Sequence, residues 1–376
     1  MFRMFKRAMT KALKLTRPRK ILATALAFQK VATQVTKPAR KQRAAASKPK
    51  TTTTKPRAPL GETVRRIGAG GMPARPLAKT IKTALPRGAS FKIGQYSDPH
   101  GARAYKLYRP ALAVGPDAGV PLVVMLHGCT QTPDDFAVGT GMNRLADEMG
   151  FMVAYPAQPI GANRKKCWNW FLPTDQSRDA GEPALIAGIT NHVMRENPVD
   201  RQRVYVAGLS AGGAAAAIVA NAYPDIFAAA GVHSGLPIGA AQNAVSALLV
   251  MRVGSSGIRQ SVQMPTIIFH GDGDTTVHPR NGRAVAARAV ATFANLSEVV
   301  KTGKSGTLKY VKTSYNARNR KSYCELWALE GAGHAWSGGN SAGSFADVAG
   351  PDASREMLRF FLQHRLSETP AVQPKP

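Results

Sequence analysis

Short, wholly apolar runs alternating with alanine-rich stretches of helical length constrain this chain more than any other feature. Leu122 to Leu126, Phe151 to Tyr155, Val204 to Ala207, Thr266 to Phe269 and Leu326 to Leu329 are each too short for a buried helix and carry no polar alternation. A strand buried on both faces reads this way, and such strands belong to parallel sheets. Between them lie Asn143 to Met149, Glu182 to Met194, Ala211 to Ala222 and Arg283 to Ala291, which have helical length and composition. The expected fold is therefore α/β, a mostly parallel sheet covered by helices on both faces. Ahead of it, Phe91 to Tyr96 and Ala104 to Tyr108 alternate around the turn cluster Asp98-Pro99-His100-Gly101, which predicts a hairpin.

Charge divides the chain. Residues 1–90 hold 23 Lys and Arg against one acid, Glu62, so +22 of the formal +29 lies there and the remainder carries only +7. Residues 36–60, with the run Thr51 to Thr54 among Lys-Pro and Ala, read as linker. The predicted organisation is a basic, mostly disordered extension over 1–88 with short amphipathic helices, a folded domain over 89–368, and a disordered tail over 369–376. A segment of this charge attracts polyanions, an anionic membrane or a granule surface without specificity. No nucleic-acid-binding fold is recognisable in it, and no sequence-specific nucleic-acid binding is expected. No apolar run approaches the ~20 residues needed to span a bilayer. Ile21 to Phe28 makes a poor secretory signal, because it is short, follows a long basic lead and gives way at once to Gln29-Lys30. Localisation is left open by these features.

The chemistry is carried by Gly208-Leu209-Ser210-Ala211-Gly212. It joins an apolar strand to a helix-like segment, and a GxSxG there forces the serine into a sharp, exposed elbow. A serine hydroxyl needs a base. Of eight histidines, only His334 follows the last predicted strand in a glycine-bracketed loop, Gly331-Ala332-Gly333-His334. An acid must orient that imidazole. His270-Gly271-Asp272-Gly273-Asp274 offers two, and spacing does not separate Asp272 from Asp274. The order serine, acid, histidine is that of the α/β-hydrolases. Two backbone donors complete such a site: the N–H of Ala211, and the N–H of Cys129 in His127-Gly128-Cys129-Thr130-Gln131. No metal-ligand spacing is present, and neither metal nor cofactor is expected. Three cysteines, Cys129, Cys167 and Cys324, do not make a disulfide framework. One bridge with one free thiol, or three thiols, are both compatible with the sequence, and a Cys129–Cys167 pair is left undecided.

Taken together, residues 90–366 resemble the poly(3-hydroxybutyrate) depolymerase family of esterases, related to feruloyl and acetylxylan esterases. The carriers are His127 to Gln131, Gly150 to Gln158, Cys167-Trp168-Asn169-Trp170-Phe171, Gly208 to Gly213, His270 to Asp274, and Gly333-His334-Ala335-Trp336-Ser337-Gly338-Gly339. The resemblance implies Asp274 as the triad acid and a cysteine in the oxyanion loop. It implies a serine esterase working through an acyl-enzyme, on 3-hydroxyalkanoate polyester or its oligomers, or alternatively on feruloyl or acetyl esters of plant polysaccharides. It also points to an extracellular or periplasmic setting. Trp168, Trp170 and Trp336 are the aromatics expected to meet substrate. With neither a clean signal peptide nor a separate polymer-binding module read in the sequence, soluble or oligomeric esters are the safer substrates, and a cytoplasmic, granule-associated setting stays open. The reading outside enzymology is a polyanion- or granule-binding protein on a hydrolase scaffold.

Overall fold

The computed structural model describes residues 85–111, 119–255 and 263–367. The expected helices of the basic extension, its linker and the C-terminal tail lie outside the described residues, apart from residues 85–88 at the end of the extension.

The first pair of strands, β1 (Ser90–Asp98) and β2 (Gly101–Arg109), forms the antiparallel hairpin read in the sequence, with Asp98 opposite Gly101. The central strands are β3 (Val120–Leu126), β4 (Met152–Pro156), β5 (Val199–Leu209), β6 (Ala229–His233), β7 (Thr266–Gly271) and β10 (Ser322–Leu329). A second hairpin, β8 (Ser297–Ser305) with β9 (Leu308–Asn316), closes the far edge. The sheet runs β1-β2-β4-β3-β5-β6-β7-β10-β9-β8. From β4 to β10 every neighbour is parallel, and both flanks are antiparallel. Every residue of β3, β4, β6 and β7 is buried, whereas β8 is almost wholly exposed and carries Lys301 and Lys304. Charge on an exposed edge discourages pairing with another chain.

Alternation along β3 and β5 feeds two separate cores. Leu122, Val124, Leu126, Val204 and Val206 pack on one face with Ile186 and Ile189 of α3 (Gly181–Glu196) and Ala214 and Ile218 of α4 (Ala211–Ala222). Val123, Met125, Tyr205 and Ala207 pack on the other face. Their partners there are Phe136 of α1 (Pro133–Thr140), Leu145 of α2 (Met142–Met149), and Met357 and Phe361 of α7 (Ala353–Phe361). Each fully buried aliphatic side chain contributes roughly 1.5–3 kcal/mol. Such two-sided burial keeps the strand ends fixed enough to carry chemistry on the loops between them.

Two further helices are α5 (Ala244–Val253), which the sequence did not suggest, and α6 (Arg280–Ala291), which contains the expected segment Arg283 to Ala291. In α5, Val245, Leu248, Leu249 and Val253 are all exposed, so the apolar stripe faces away from the core. Among the described residues no helix is long and apolar enough to cross a membrane.

Candidate active site

All the chemically interesting loops leave the carboxyl ends of parallel strands, where ligands bind in open α/β sheets. Leu209 at the end of β5 is paired with His233 at the end of β6, and His233 with Phe269 of β7; Gly271 of β7 is paired with Leu329 of β10. The segments that follow carry Ser210, Asp274 and His334.

Ser210 joins β5 to α4 with φ 58° and ψ −118°, outside the regions favoured by residues with a side chain. Strain of this kind persists only where the surroundings enforce it. The neighbouring glycines show how they do so. A Cβ on Gly212 would lie 2.0 Å from the Leu126 carbonyl oxygen, and one on Gly208 would lie 2.3 Å from the Gly212 oxygen. The backbone of β3 thus presses directly on the elbow. Ser210 sits at the N-terminus of α4, where unpaired N–H groups and the helix dipole favour a developing negative charge.

Asp274 is buried at 5% exposure, and His334 donates Nδ1–H to its Oδ2 at 2.7 Å. Its other oxygen accepts the N–H groups of Thr276 and Val277 at 2.9 and 2.8 Å. Burial pushes the Asp274 carboxyl up; hydrogen bonds from His270 and His334, the His334 charge and the Val277 N–H outweigh it and hold the group well below the usual carboxylate range. Asp272, the rival in the sequence, is exposed and accepts the Gly331 N–H at 2.5 Å instead. It braces the histidine loop without touching the imidazole. His334 Nε2 and Ser210 Oγ make no hydrogen bond among the described residues; contacts of this type often tighten only when substrate is bound.

The loop after β3 is pinned from several sides. Gln131 accepts the Gly128 N–H at 2.8 Å on its Oε1 and donates from Nε2 to Asp135 and to the Ser344 carbonyl. A Cys129–Cys167 disulfide and a bond from Thr130 N to Lys165 O at 2.6 Å tie it to the segment after β4. Cys324 is a buried free thiol, and burial pushes it well above its ordinary range. The N–H groups of Cys129 and Ala211 have no hydrogen-bond acceptor among the described residues. Both are therefore available to an oxyanion.

The three tryptophans occupy a different role from the one expected. Trp168, Trp170 and Trp336 are 1%, 5% and 1% exposed, so none offers a ring face to a ligand in this conformation. Trp168 donates its indole N–H to the His127 carbonyl at 3.0 Å, and Trp336 donates to Ser354 Oγ at 3.0 Å. Their large apolar area is better satisfied beneath the site than at its mouth.

Four residues to which the sequence reading assigned no role support the site. His127 is buried, which lowers its pKa to about 4; Nδ1 faces the Gly128 carbonyl at 2.8 Å and Nε2 accepts the Gln158 N–H at 3.1 Å. Glu182 accepts from Gln158 Nε2, from Asn169 N at 2.7 Å and from Asn169 Nδ2 at 2.8 Å, holding the Cys167–Trp170 stretch in place. Its pKa is raised to about 7, by burial first and then by Asp175. His270 donates Nε2–H to the Val277 carbonyl at 2.8 Å and lies 3.5 Å from Asp274 Oδ2. His233, at the end of β6, is wholly buried. Among these, His127 and His270 each begin a His-Gly pair after a strand, which is the signal that could have found them. Among the described residues no group of three or more His, Cys, Asp or Glu could hold a metal ion.

A mostly parallel sheet that presents a strained serine, an acid and a histidine from successive loops at its carboxyl edge defines the α/β-hydrolase class. Within that class the chain belongs to the esterase PHB depolymerase family, whose model matches residues 103–306. It is 34% identical over 238 residues to poly(3-hydroxyalkanoate) depolymerase C of Paucimonas lemoignei, covering 58% of this chain and 56% of that one. It is 32% identical over 161 residues to feruloyl esterase B of Neurospora crassa, covering 43% of this chain and 53% of that one. The chain thus spans only about half the length of these curated relatives. The fold is also that of an acetyl xylan esterase from Aspergillus awamori, with a TM-score of 0.53, 20% identity, and coverage of 72% of this chain and 99% of that one.

Proposed function

We propose that this protein is a serine hydrolase of carboxylic esters that works through an acyl-enzyme. The observation that carries the reading is the 2.7 Å bond between His334 and a buried, ionised Asp274, set at the same sheet edge as the strained Ser210. Ser210 attacks the ester carbonyl as His334 Nε2 takes its proton. The tetrahedral oxyanion is held by the N–H groups of Cys129 and Ala211. Asp274 stays ionised, fixes the tautomer with the proton on Nδ1, and stabilises the imidazolium. His334 then protonates the leaving alcohol, and a water activated by the same imidazole releases the acid. No step calls on a metal or an organic cofactor.

Polyesters or oligomers of 3-hydroxyalkanoates are the preferred substrate class, in keeping with the family and the depolymerase relative. Feruloyl or acetyl esters of plant polysaccharides are the second reading, supported by the feruloyl esterase relative and the acetyl xylan esterase fold. The Cys129–Cys167 bridge favours an oxidising compartment, outside the cytoplasm. The +22 charge of residues 1–90 would add salt-sensitive attraction to polyanions, anionic membranes or granule surfaces. Hydrolysis of p-nitrophenyl acetate, butyrate and octanoate, of feruloyl and acetyl-xylan substrates, and of 3-hydroxybutyrate oligomers separates the two readings. Preference for the hydroxybutyrate oligomers supports the first, and preference for feruloyl or acetyl esters supports the second. Hydrolysis of none would leave the scaffold reading, in which the fold only binds.

A further inference from the structure

His233 touches both halves of the site without belonging to either. Its main-chain carbonyl accepts the Ser210 N–H at 2.9 Å, so the last residue of β6 fixes the backbone of the elbow. Its side chain reaches the other way: Nε2 accepts the Ser337 N–H at 3.0 Å, three residues beyond His334. The ring lies stacked between Phe269, at 5.7 Å and 10°, and Trp336, at 5.0 Å and 24°. Nδ1 stands 3.2 Å from Ser234 Oγ. Because Nε2 must accept from Ser337, the proton of the neutral ring belongs on Nδ1, directed at the serine hydroxyl. Ser234 itself has φ 48°, and its N–H donates to the Phe269 carbonyl at 2.8 Å, which locks the turn carrying the ring. A Cβ on Gly213 would lie 3.0 Å from the His233 carbonyl oxygen, so the start of α4 is seated on the same residue.

An apolar residue of similar shape would serve the stack equally well. What the neutral histidine supplies beyond the stack is a buried acceptor at the reach of Ser337. The loop carrying His334 has other fixed points: Asp274 at its ring, the Asp272 carboxylate at Gly331, the short parallel pairing of Trp336-Ser337 with Ala346-Asp347, the Trp336 indole on Ser354 Oγ and Ser337 Oγ on the Pro351 carbonyl, but none of these bonds is made to the Ser210 elbow.

We propose that His233 is the positioning residue that sets the distance between nucleophile and base, by fastening the Ser210 elbow through its carbonyl and the His334 loop through its imidazole. The inference rests on the roles given above to Ser210 and His334. It assigns His233 no contact with substrate. A small displacement of a base relative to its nucleophile can cost about 10²-fold in rate, so the clamp acts on turnover and leaves binding alone.

The test compares three variants of the full chain. His233→Phe keeps the stacked ring and loses the acceptor. His233→Gln keeps an amide oxygen at the reach of Nε2, whereas His233→Asn reaches only as far as Nδ1. With p-nitrophenyl butyrate, kcat per folded molecule is expected to fall about 10–100-fold in His233→Phe and His233→Asn with KM within about twofold of wild type. His233→Gln should return to within about threefold. Should His233→Phe fail to fold, the Asn and Gln pair decides. Equal kcat in Asn and Gln, or an undiminished kcat in a folded His233→Phe, would overturn the proposal. A loss confined to KM would do the same. If the wild type hydrolyses no ester, the proposed function falls, and the clamp is then decided by amide hydrogen exchange at Ser337. Protection kept in Gln and lost in Asn supports it; equal protection in the two refutes it.

Discussion

Asp274 divides its two carboxylate oxygens between structure and chemistry: Oδ1 is held by the backbone N–H groups of Thr276 and Val277, and Oδ2 accepts Nδ1–H of His334 at 2.7 Å. The first pair of bonds fixes the carboxylate plane, so the remaining lone pair points where the imidazole must be. The net of opposing influences keeps the group ionised over the whole neutral range, despite its burial.

Asp274→Asn should therefore separate geometry from electrostatics. The amide can be held by the same two N–H groups through its oxygen, but its NH2 would face Nδ1 and favour the wrong tautomer. A loss in kcat on the order of 10⁴ is expected. Asp272→Asn, which touches only the Gly331 N–H, should stay within about tenfold of wild type. Steady-state kinetics of the two variants on one p-nitrophenyl ester checks the contrast; equal losses would contradict the assignment of the acid.

The glycines of the elbow give a second expectation. Gly212→Ala places a methyl group 2.0 Å from a main-chain oxygen of β3, which cannot rotate away as a side chain could. Destabilisation of about 1–3 kcal/mol, at the upper end for a backbone clash, should accompany loss of activity. Gly141→Ala provides the comparison, since its Cβ meets nothing within 4 Å, although its φ of 64° carries a smaller backbone cost. Urea unfolding of both variants measures the difference.

The disulfide supplies a third. Cys129 and Cys167 close a loop with a sequence separation of 38, and cross-linking of that length stabilises by roughly 3–4 kcal/mol on chain-entropy grounds. Cys129 also carries one of the two oxyanion donors proposed above. Reduction should thus lower the unfolding midpoint and reduce kcat, while Cys324→Ala, at a buried free thiol remote from the bridge, should leave kcat within about twofold. Thermal unfolding and activity with and without reductant test this; an unchanged midpoint on full reduction would count against it.

Stability should also depend on pH in a definite direction. Burial lowers His127 to about 4, and His233 and His364 to about 3, against an ordinary 6.5. Each depressed histidine contributes stability that is complete above pH 6.5 and is lost as pH falls towards its folded value. Glu182, raised to about 7, acts oppositely: its contribution is complete below about 4.5 and is lost as pH rises to 7. With three histidines against one carboxyl, stability should rise with pH between about 4.5 and 6.5. His364→Gln should flatten that slope by up to about 1.4 kcal/mol per pH unit. His364 lies among Ser322, Tyr323 and Phe360, away from the site, so kcat should hardly change.

How much of this was legible in the chain differs from element to element. The runs that became β3, β4 and β7 are continuous and apolar because both of their faces are covered, and that left a clear trace in the sequence. β6 was missed because Ala229-Ala230-Gly231 has little strand character; it is a strand because Gly231 admits Met357 and Ala207 at close approach and because β5 and β7 flank it. The β8–β9 hairpin was missed for the opposite reason, since an exposed edge carries no apolar signal. Ser210 and His334 could be found from loop context. Spacing could not separate Asp274 from Asp272, because two carboxylates two residues apart differ only in which one the strand end turns inward; the family resemblance pointed to Asp274, and it is Asp274 that bonds His334. The tryptophans misled, since an aromatic near a catalytic motif reads the same whether it faces the ligand or supports the loop from below. The clamp through His233 joins residues more than a hundred positions apart and has no local signature at all.

The most direct test of the central claim is the turnover of Ser210→Ala beside wild type on p-nitrophenyl butyrate and 3-hydroxybutyrate oligomers, with folding checked by circular dichroism. The account expects kcat to fall by about 10⁵–10⁶ with the fold intact; a folded Ser210→Ala as active as wild type would contradict it.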